Sequence, residues 1–425
     1  METTTTYKKI ASYEAKKGEF DTCLLLYSGG LDTSVMLKWI QEEYECDVIT
    51  LTFDIGQTVD DLETIKQKAL NLGAKDAIIC DAKKEFADNI LAQAIKANAD
   101  YQGGYALSTC LGRVIISEIA VKVAHEKGCQ VIAHGCTGKG NDQVRFDTYI
   151  TTLDANLKIV APVREWGMGR AEEIAYAEER GIPVKQSAAK PYSYDENMWG
   201  NACEGGELEQ VEKTANLKDM LLWCNVPPET PDEKATITIS FEAGVPTALN
   251  GTPMPLHEII ASVNKLGAEH GVGVFQTIED RLIGFKVREV YENPGATILI
   301  AAHKKLEYLV STRQENELKP FMDQKWAYMT YAAEWHEPTM HHIHAYINDQ
   351  NQKVTGDVTV ELYKGNVTVV ALDSPYSLFD HDLMTSMTKD TVFNQNASTG
   401  FIELHSLAQK TANKTYKYKE TNYGS

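Results

Sequence analysis

The sequence predicts an α/β fold class: a doubly wound, mostly parallel sheet in the first half, followed by an α+β domain and a C-terminal tail helix. Three observations support this prediction. Short apolar runs alternate with segments of helical spacing up to about residue 185, which is typical of parallel strands joined by crossover helices. Beyond that point the alternation stops, and strands mix with helices. At 425 residues, the chain is also long enough for two domains.

Five strands and five helices are predicted in the first half, after a polar leader at residues 1–20. The apolar runs predict strands at residues 22–27, 47–54, 77–80, 130–134 and 159–162. Helical spacing predicts helices at residues 32–44, 60–72, 86–97, 111–126 and 172–179. The last helix precedes Gly181-Ile182-Pro183, a stop signal. Ligands of such sheets bind beyond the carboxyl ends of the strands, so we expect the functional site there.

The second half begins with two loop-like stretches, residues 200–210 and 225–234. The pattern then predicts a strand at residues 236–241 and helices at residues 257–266, 296–310 and 320–333. Residues 354–370 predict a hairpin that turns at Lys364-Gly365-Asn366. We therefore expect four segments: a leader at 1–20, a doubly wound domain at 21–185, an α+β domain at 186–403 and a tail helix at 404–425.

Composition and charge exclude several classes of protein. The formal net charge of −19 argues against an overall basic surface, so no nucleic-acid partner is expected. The sequence has no run of 18 apolar residues, which predicts no transmembrane helix and no membrane partner. The N-terminus lacks the apolar core of a secretory signal, and none of the eight cysteines forms a CxxC pair. These features predict a cytoplasmic protein with reduced thiols.

The loop after the first predicted strand, Ser28-Gly29-Gly30-Leu31-Asp32-Thr33-Ser34, predicts a phosphate site. Two glycines let the backbone turn without a Cβ in the way, and the helix that follows presents free amides and a positive dipole end. Ser28, Thr33 and Ser34 add hydroxyl donors. The spacing is neither that of a Walker loop nor GxGxxG. The alternative is a plain connection capped by Asp32 or Ser34, which explains one polar side chain and not the cluster.

A second cluster of glycines and polar side chains, AHGCTGKGNDQVRFD, covers residues 133–147. It follows another predicted strand and therefore lies at the same edge of the sheet. Asp142 offers a partner for an ammonium group, and Thr137 with backbone amides suits a carboxylate. Arg145 can hold a carboxylate or phosphate with two parallel hydrogen bonds. This set fits a zwitterionic amino acid, and the alternative is a glycine-rich loop with solvated charges.

Other chemistry-bearing residues are predicted to be structural. Met340-His341-His342-Ile343-His344 lacks the carboxylate spacing of a zinc helix, and its alternating polarity favours a strand, so no metal site is expected. Cys110 and Cys136 lie in predicted site loops. A nucleophilic cysteine needs a base or dipole that lowers its pKa, and unreactive packing is the simpler interpretation.

The loop at residues 28–34 is similar to the pyrophosphate-binding loop of the N-type ATP pyrophosphatases, and the segment at 133–147 resembles the argininosuccinate synthase signature. The resemblance extends from about residue 22 to about residue 410. Further matching stretches are FDIGQ (53–57), KPYSYDEN (190–197), EDRLIGFKVREVYENPGATIL (279–299) and SPYSLFDHDL (374–383).

The resemblance implies a PP-loop ATP-binding domain, a synthetase and oligomerisation domain, and a homotetramer formed partly through the tail helix. It implies a ligase of arginine biosynthesis that uses ATP with Mg²⁺ and holds no prosthetic group. Citrulline would be adenylated with release of pyrophosphate, and the amine of aspartate would then displace AMP to give argininosuccinate. The alternative within the family is a divergent enzyme that adenylates a different ureido or amide acceptor before aspartate attacks.

The resemblance also implies a role for individual residues. Those that would bind ATP are Leu26, Tyr27, Ser28, Gly29, Gly30, Leu31, Asp32, Thr33, Ser34, Phe53 and Gly135. Those that would bind aspartate are Thr137, Asn141 and Asp142. Those that would bind citrulline are Tyr105, Cys110, Asn141, Arg145, Ser193, Ala202, Glu279 and Tyr291. Asp32, Asn141, Asp142 and Arg145 would act in catalysis. Because Glu279 and Tyr291 belong to the second domain, the site is expected between the domains.

Cys110 and Ala202 stand where the family pattern implies serines that contact citrulline, and Phe53 replaces a small residue near the adenine. Loss of a hydroxyl that binds a buried polar group costs about 1–3 kcal/mol. These departures keep the alternative acceptor open. Two further alternatives are a tRNA-modifying relative, against which the negative charge and the lack of a CxxC pair argue, and a nucleotide-binding protein without catalysis.

Overall fold

The first half folds around one five-stranded sheet, seen in a computed structural model that describes residues 7–58, 61–183, 191–226, 229–384 and 393–416. The predicted boundary between residues 185 and 186, Lys190 and residues 417–425 of the predicted tail lie outside the described residues. The strands are β1 (Thr22–Leu26), β2 (Asp47–Asp54), β3 (Asp76–Asp81), β4 (Val131–Ala133) and β5 (Lys158–Val160). Every neighbouring pair is parallel, in the order β3-β2-β1-β4-β5, which confirms the predicted fold class.

The order of the strands places the two glycine-rich loops beside each other. The chain runs outward from β1 through β2 to β3 and then returns to the other side of β1 with β4 and β5. The loops that follow β1 and β4 therefore leave the same edge of the sheet in opposite directions. The point between β1 and β4, where the strand order reverses, is called the topological switch point. A crevice opens there, and it is where doubly wound sheets bind ligands.

Helices cover both faces of this sheet. They are α1 (Leu31–Tyr44), α2 (Leu62–Asn71), α3 (Lys83–Glu85), α4 (Ala92–Lys96), α5 (Ser108–Lys127), α6 (Asp142–Leu153), α7 (Pro162–Glu165) and α8 (Arg170–Glu179), with a π-helical turn at Phe86–Leu91. The side chain of Asp61 accepts from the amides of Glu63 and Thr64 and so caps α2. Helix α5 is buried on most sides, with thirteen of its 20 residues buried, so both of its flanks must be covered by other elements.

Two antiparallel sheets form the second half. Their strands are β6 (Tyr192–Asn197), β7 (Gly200–Gly205), β8 (Ala235–Glu242), β9 (Val245–Leu249), β10 (Thr252–Pro253), β11 (Val274–Asp280), β12 (Lys286–Glu292), β13 (Gly356–Tyr363) and β14 (Asn366–Asp373). The strand orders are β10-β9-β8-β13-β14 and β11-β12-β7-β6. The β13–β14 hairpin turns at Lys364 and Gly365, which both have positive φ, as an inverted two-residue turn requires.

The remaining helices are α9 (Leu217–Met220), α10 (Leu256–Glu269), α11 (Pro294–Val310), α12 (Arg313–Tyr331), α13 (Pro338–Asn351), α14 (His381–Met384) and α15 (Ala397–Tyr416). The predicted strand at residues 340–344 was wrong, because this segment lies within α13. Pro338 occupies the first helical turn, and Glu337 accepts from the amide of Thr339. Its buried residues Met340, Ile343 and Ile347 recur at helical spacing.

The prediction of a loop at residues 200–210 was also wrong over its first part, which is β7. Although glycine disfavours strands, β7 lies between β12 and β6 and is mostly buried, so pairing on both sides decides its conformation. An added Cβ at Gly200 would lie 2.0 Å from Asn293 Oδ1, which explains the glycine. The leader is likewise tied to the sheet, because Glu14 forms a parallel bridge with Ile159 of β5.

Contacts divide the chain after Tyr376. The first unit contains all three sheets, and one continuous apolar cluster links the parallel sheet to the second half. That cluster includes Leu24 of β1, Ile115 of α5, Tyr291 of β12 and Trp326 of α12. The second unit begins at Ser377 and contains α14 and α15. The predicted tail helix is α15, which begins earlier, at Ala397.

Candidate active site

The loop after β1 has the geometry of an anion site. Gly29 has a φ of +80°, and the next residue, Gly30, is the N-cap of α1. Among the described residues, no side chain caps this helix, so the first amides of α1 are not occupied by a capping group. Ser28 Oγ lies 3.2 Å from Thr33 Oγ1, and Ser34 Oγ donates to Gly30 O over 2.6 Å. The alternative in which Asp32 or Ser34 caps the helix was therefore wrong.

A buried chain of charged groups supports the loop after β4. His134 Nδ1 accepts from the amide of Cys136, so the other ring nitrogen, Nε2, donates to Asp147 Oδ1 over 2.7 Å. Arg164 Nη1 donates to the second oxygen of Asp147 over 2.8 Å. Burial tends to raise the pKa of Asp147, but hydrogen bonds and charges from His134 and Arg164 lower it below its ordinary value. An ionised Asp147 thus fixes the start of the loop.

One cavity of about 500 Å³ lies between these loops and the second half of the chain. Of the residues predicted to bind ATP, Ser28 and Gly135 line it. All three residues predicted to bind aspartate line it. Seven of the eight predicted for citrulline also line it. Together the predicted residues on its wall are Ser28, Tyr105, Gly135, Thr137, Asn141, Asp142, Arg145, Ser193, Ala202, Glu279 and Tyr291.

The other predicted residues lie elsewhere. Cys110 is fully buried behind Tyr105, with its Sγ 3.7 Å from the Tyr105 hydroxyl, and does not line the cavity. Burial raises the pKa of Cys110 to about 12, so its thiol stays neutral. Phe53 is buried in β2, and its carbonyl accepts from Gln57 Nε2. Asp32 accepts from Arg170 of α8 over 2.5 Å. The remaining residues predicted for ATP that do not line the cavity are Leu26, Tyr27, Gly29, Gly30, Leu31, Thr33 and Ser34.

Two arginines hold the carboxylate of Asp142 at one end of the cavity. Arg113 Nη2 and Arg145 Nη1 each donate to Asp142 over 2.8 Å. Burial favours the neutral acid, yet the two cations lower the pKa of Asp142 below its ordinary value. Arg113 also donates to Asp195 of β6, whose pKa is raised by burial and by the nearby Asp142 charge. This end therefore presents alternating positive and negative groups, which suits a zwitterion.

The other end of the cavity is built by the second half of the chain. Tyr291 of β12 stacks on Tyr105, with ring centroids 4.2 Å apart, and its hydroxyl donates to Glu279 Oε2 over 2.5 Å. The Tyr331 hydroxyl donates to the other oxygen of Glu279 over 2.5 Å and accepts from Asn141 Nδ2 over 2.8 Å. Asn141 also accepts from the amide of Leu282. The side chain of Asn141 thus ties the loop after β4 to the second half.

Several residues of this site were missed from the sequence. Arg113 lies one turn after Cys110 on α5, and residues at this spacing share a face of a helix. Glu289 precedes Tyr291 by two residues on β12, and residues at that spacing share a face of a strand. These spacings could have identified both residues from the sequence. Tyr331 gave no such signal, because its bond to Asn141 joins residues 190 apart. The other residues on the wall for which the sequence predicted no binding role are Thr109, Cys136, Gly140, Tyr194, Asp195, Glu204 and Arg281.

The histidines at 341–344 do not form a metal site in the structure. His344 Nε2 accepts from the indole of Trp326, and His341 and His342 are exposed on α13. Within the described ranges, no three His, Cys, Asp or Glu side chains are arranged to hold a metal ion. The helices of the described chain also include none that is long and apolar enough to span a membrane.

Comparisons with known proteins agree with this architecture. Residues 22–183 match the family model of the arginosuccinate synthase N-terminal HUP domain, and residues 192–412 match that of the C-terminal domain. The argininosuccinate synthase of Picrophilus torridus is 45% identical over 397 residues, which are 93% of this chain and 98% of the relative. That of Brevibacillus brevis is 44% identical over 409 residues, which are 95% of this chain and 94% of the relative.

A third relative, the argininosuccinate synthase of Symbiobacterium thermophilum, is 43% identical over 388 residues, which are 91% of this chain and 96% of the relative. Among solved structures, a tRNA thiolase of Methanococcus maripaludis is 18% identical, with a TM-score of 0.27 over 42% of this chain and 61% of that chain. The family models and the curated relatives alone therefore carry the assignment. The chain belongs to the argininosuccinate synthase family of ligases.

Proposed function

We propose that this protein condenses citrulline with aspartate at the expense of ATP and forms argininosuccinate, AMP and pyrophosphate. The observation that carries the proposal is the single cavity shared by three groups of residues. Ser28 and Gly135 come from the two loops at the switch point, Asp142 from the start of α6, and Glu279 and Tyr291 from the second half. Three substrates held in one cavity react as neighbours, which contributes much of the rate of such a ligase.

In the first step, the ureido oxygen of citrulline attacks the α-phosphorus of ATP and pyrophosphate leaves. The free amides at the start of α1 and the hydroxyls of Ser28 and Thr33 stabilise the charge that builds on the departing phosphates. Mg²⁺ enters as part of the nucleotide substrate and adds positive charge there. Arg170, which pairs with Asp32, lies at the same helix end.

In the second step, the amine of aspartate attacks the activated carbon and AMP leaves. Asp142 anchors the amino group of aspartate and Thr137 holds its carboxylate, while Arg145 binds citrulline. The pKa of Asp142 is lowered, so this carboxylate is a weak base, and its proposed role is to position the nucleophile. Asn141 joins the two halves of the cavity and so keeps aspartate and citrulline aligned.

Citrulline is proposed to occupy the end formed by Tyr105, Ser193, Glu279 and Tyr291. Ala202 lines this end without a hydroxyl, and Cys110 acts only through Tyr105. The relatives, at about 44% identity over most of the chain, do not favour a different acceptor. We further propose a cytoplasmic homotetramer without a tightly bound prosthetic group.

A coupled assay of pyrophosphate release tests the function. The enzyme is supplied with ATP, Mg²⁺, aspartate and citrulline, and each substrate is omitted in turn. We expect sustained release only in the complete mixture, together with argininosuccinate detected by mass spectrometry. Absence of argininosuccinate, with release when another ureido compound replaces citrulline, would contradict the proposal.

A further inference from the structure

The hydroxyl of Tyr291 lies between two carboxylates. Its oxygen is 2.5 Å from Glu279 Oε2 and 2.7 Å from Glu289 Oε2. All three side chains line the cavity, and all three are buried. Both contacts are within hydrogen-bond distance, so each must contain a hydrogen atom.

A neutral Tyr291 and two ionised glutamates would together have one hydrogen to donate, whereas the two contacts need two. The three side chains therefore hold one additional proton. A tyrosine hydroxyl has one hydrogen to donate, and an ionised carboxylate has none. Burial and nearby carboxylates keep the pKa of Tyr291 well above its ordinary value, so it remains a hydroxyl. Tyr291 donates to Glu279, which also accepts from Tyr331, and the second contact is then a donation from Glu289 to Tyr291. Glu289 is therefore the protonated carboxyl.

The groups that face Glu289 explain why the proton resides there. Arg281 donates to Glu289 Oε1 over 3.1 Å, but it is shared with Glu204 of β7. Glu279 of β11 adds a further negative charge beside it, and the aromatic pair of Tyr105 and Tyr291 covers the site. Burial, followed by the charge of Glu279, raises the pKa of Glu289 to about 7. Three carboxylates around one arginine leave excess negative charge whenever all are ionised.

We propose that Glu289 is a further acceptor-binding residue, which forms with Glu279 the subsite for the ammonium group of citrulline and gives up its proton to solvent when that group binds. A bound ammonium supplies the positive charge and the donors that the proton supplies in the empty cavity. The inference rests on the proposed function, because it takes citrulline as the acceptor. It makes citrulline binding a proton exchange: one ammonium enters, and one proton leaves from Glu289.

The sign of the pH dependence follows from this exchange. Below pH 7 the proton must be removed before the ammonium group binds to two ionised carboxylates, so citrulline binds more weakly as the pH falls. With a pKa of about 7, Glu289 releases about half a proton per citrulline at pH 7 and about nine-tenths at pH 6. The dissociation constant of citrulline is then about tenfold larger at pH 6 than at pH 8.

Calorimetry measures this proton directly. Citrulline is titrated into the full-length enzyme saturated with Mg²⁺ and an ATP analogue that has a methylene bridge between its α and β phosphates. Titrations at pH 6, 7 and 8 are run in pairs of buffers with different ionisation enthalpies. We expect the apparent enthalpy to depend on the buffer at pH 6 and 7 and to do so only weakly at pH 8. Nα-acetylcitrulline, which lacks the ammonium group, should release no proton.

Two variants complete the test. Glu289→Gln keeps the shape of the side chain but has no group that titrates in this range, so citrulline binding by this variant should be independent of buffer and of pH between 6 and 8. Glu242→Gln removes an exposed carboxylate on β8 outside the cavity and should behave like the wild type. Citrulline binding by the wild type with the same enthalpy in all buffers would overturn the inference and leave the function standing. Failure of citrulline to bind at any pH would overturn the proposed function itself.

Discussion

At the scale of single residues, Asp142 is the most informative side chain at the end of the cavity that we propose to bind aspartate. Its carboxylate is held by Arg113 and Arg145 and still faces the cavity, with a quarter of its side chain exposed. The two arginines keep it ionised, which is the state that attracts an ammonium group. The sequence predicted Asp142 as the partner of an ammonium group from the glycine-rich segment, but it did not predict helix α6, whose first turn holds this residue.

We predict that Asp142→Asn raises the apparent KM for aspartate by about 10- to 100-fold, because a charge-assisted hydrogen bond is worth about 1.5–3 kcal/mol. The KM for ATP should change by less than about threefold. Steady-state pyrophosphate release with each substrate varied measures both constants. Asp76→Asn, which removes a surface carboxylate paired with Lys127, is the control and should leave both unchanged. Equal losses for aspartate and ATP would contradict the assignment.

At this scale, sequence reasoning grouped correctly those residues that are neighbours along the chain. Asn141, Asp142 and Arg145 share one short segment, and the structure brings all three to one wall. It failed for Tyr331, which meets Asn141 only after the second half has packed against the first. Such contacts depend on tertiary packing, which local pattern does not encode.

At the scale of elements, the turn between β1 and α1 depends on the backbone of Gly29. Its positive φ disfavours any β-branched residue, and a Cβ there would approach Ile65 of α2 to 2.8 Å. The turn and α2 therefore cannot both keep their positions if a larger residue occupies position 29.

We predict that Gly29→Val raises the dissociation constant of ATP by more than about tenfold, because a strained backbone of this kind costs about 1–3 kcal/mol. Fluorescence titration with an ATP analogue measures the affinity. Gly400→Ala serves as the control, since this glycine of α15 has open space around it and no positive φ. Unchanged ATP affinity in Gly29→Val would show that the turn does not hold the phosphates.

Helix α12 places one side chain against two residues of the cavity wall and another at the surface, which provides a matched pair of variants. Tyr331→Phe removes the hydroxyl between Asn141 and Glu279, and we predict a decrease of about 10- to 100-fold in kcat/KM for citrulline. Tyr328→Phe alters an exposed tyrosine on the same helix and should have no effect. The same assay with citrulline varied measures both. A similar loss in the two variants would point to damage to the helix.

The central strands β1 and β2 of the parallel sheet were predictable because each is a short apolar run buried on both faces. The exceptions have a physical cause. β7 is rich in glycine, and partner strands on both sides impose its conformation. In α13, an alternation of polar and apolar residues over five positions favoured a strand, while the capping signal of Glu337 and Pro338 decides for a helix.

At the scale of the whole molecule, the described part of the second unit bears apolar side chains on an exposed helix. Phe401, Leu404 and Leu407 of α15 are each more than half exposed and recur at three-residue intervals. An uncovered apolar stripe of this kind marks an association surface. It supports the proposal that the tail joins subunits of a tetramer.

We predict that the double variant Phe401→Ser and Leu404→Ser dissociates the tetramer, because it removes the apolar area that would drive association. Size-exclusion chromatography with light scattering measures the mass in solution. Gln409→Ser, a polar change on the same helix, should leave the mass unchanged. A double variant that elutes with the wild-type mass would exclude the tail as the association surface.

The largely buried helix α5 has a consequence for biosynthesis. One of its flanks packs on the parallel sheet, and another is covered by elements that the ribosome makes more than 60 residues later, such as β6 and β7. During translation, the apolar surface on this second flank of α5 stays exposed until the second half of the chain has been made. This apolar surface must therefore be kept from aggregating until synthesis ends. A chain truncated near residue 185 is expected to become a substrate for chaperones.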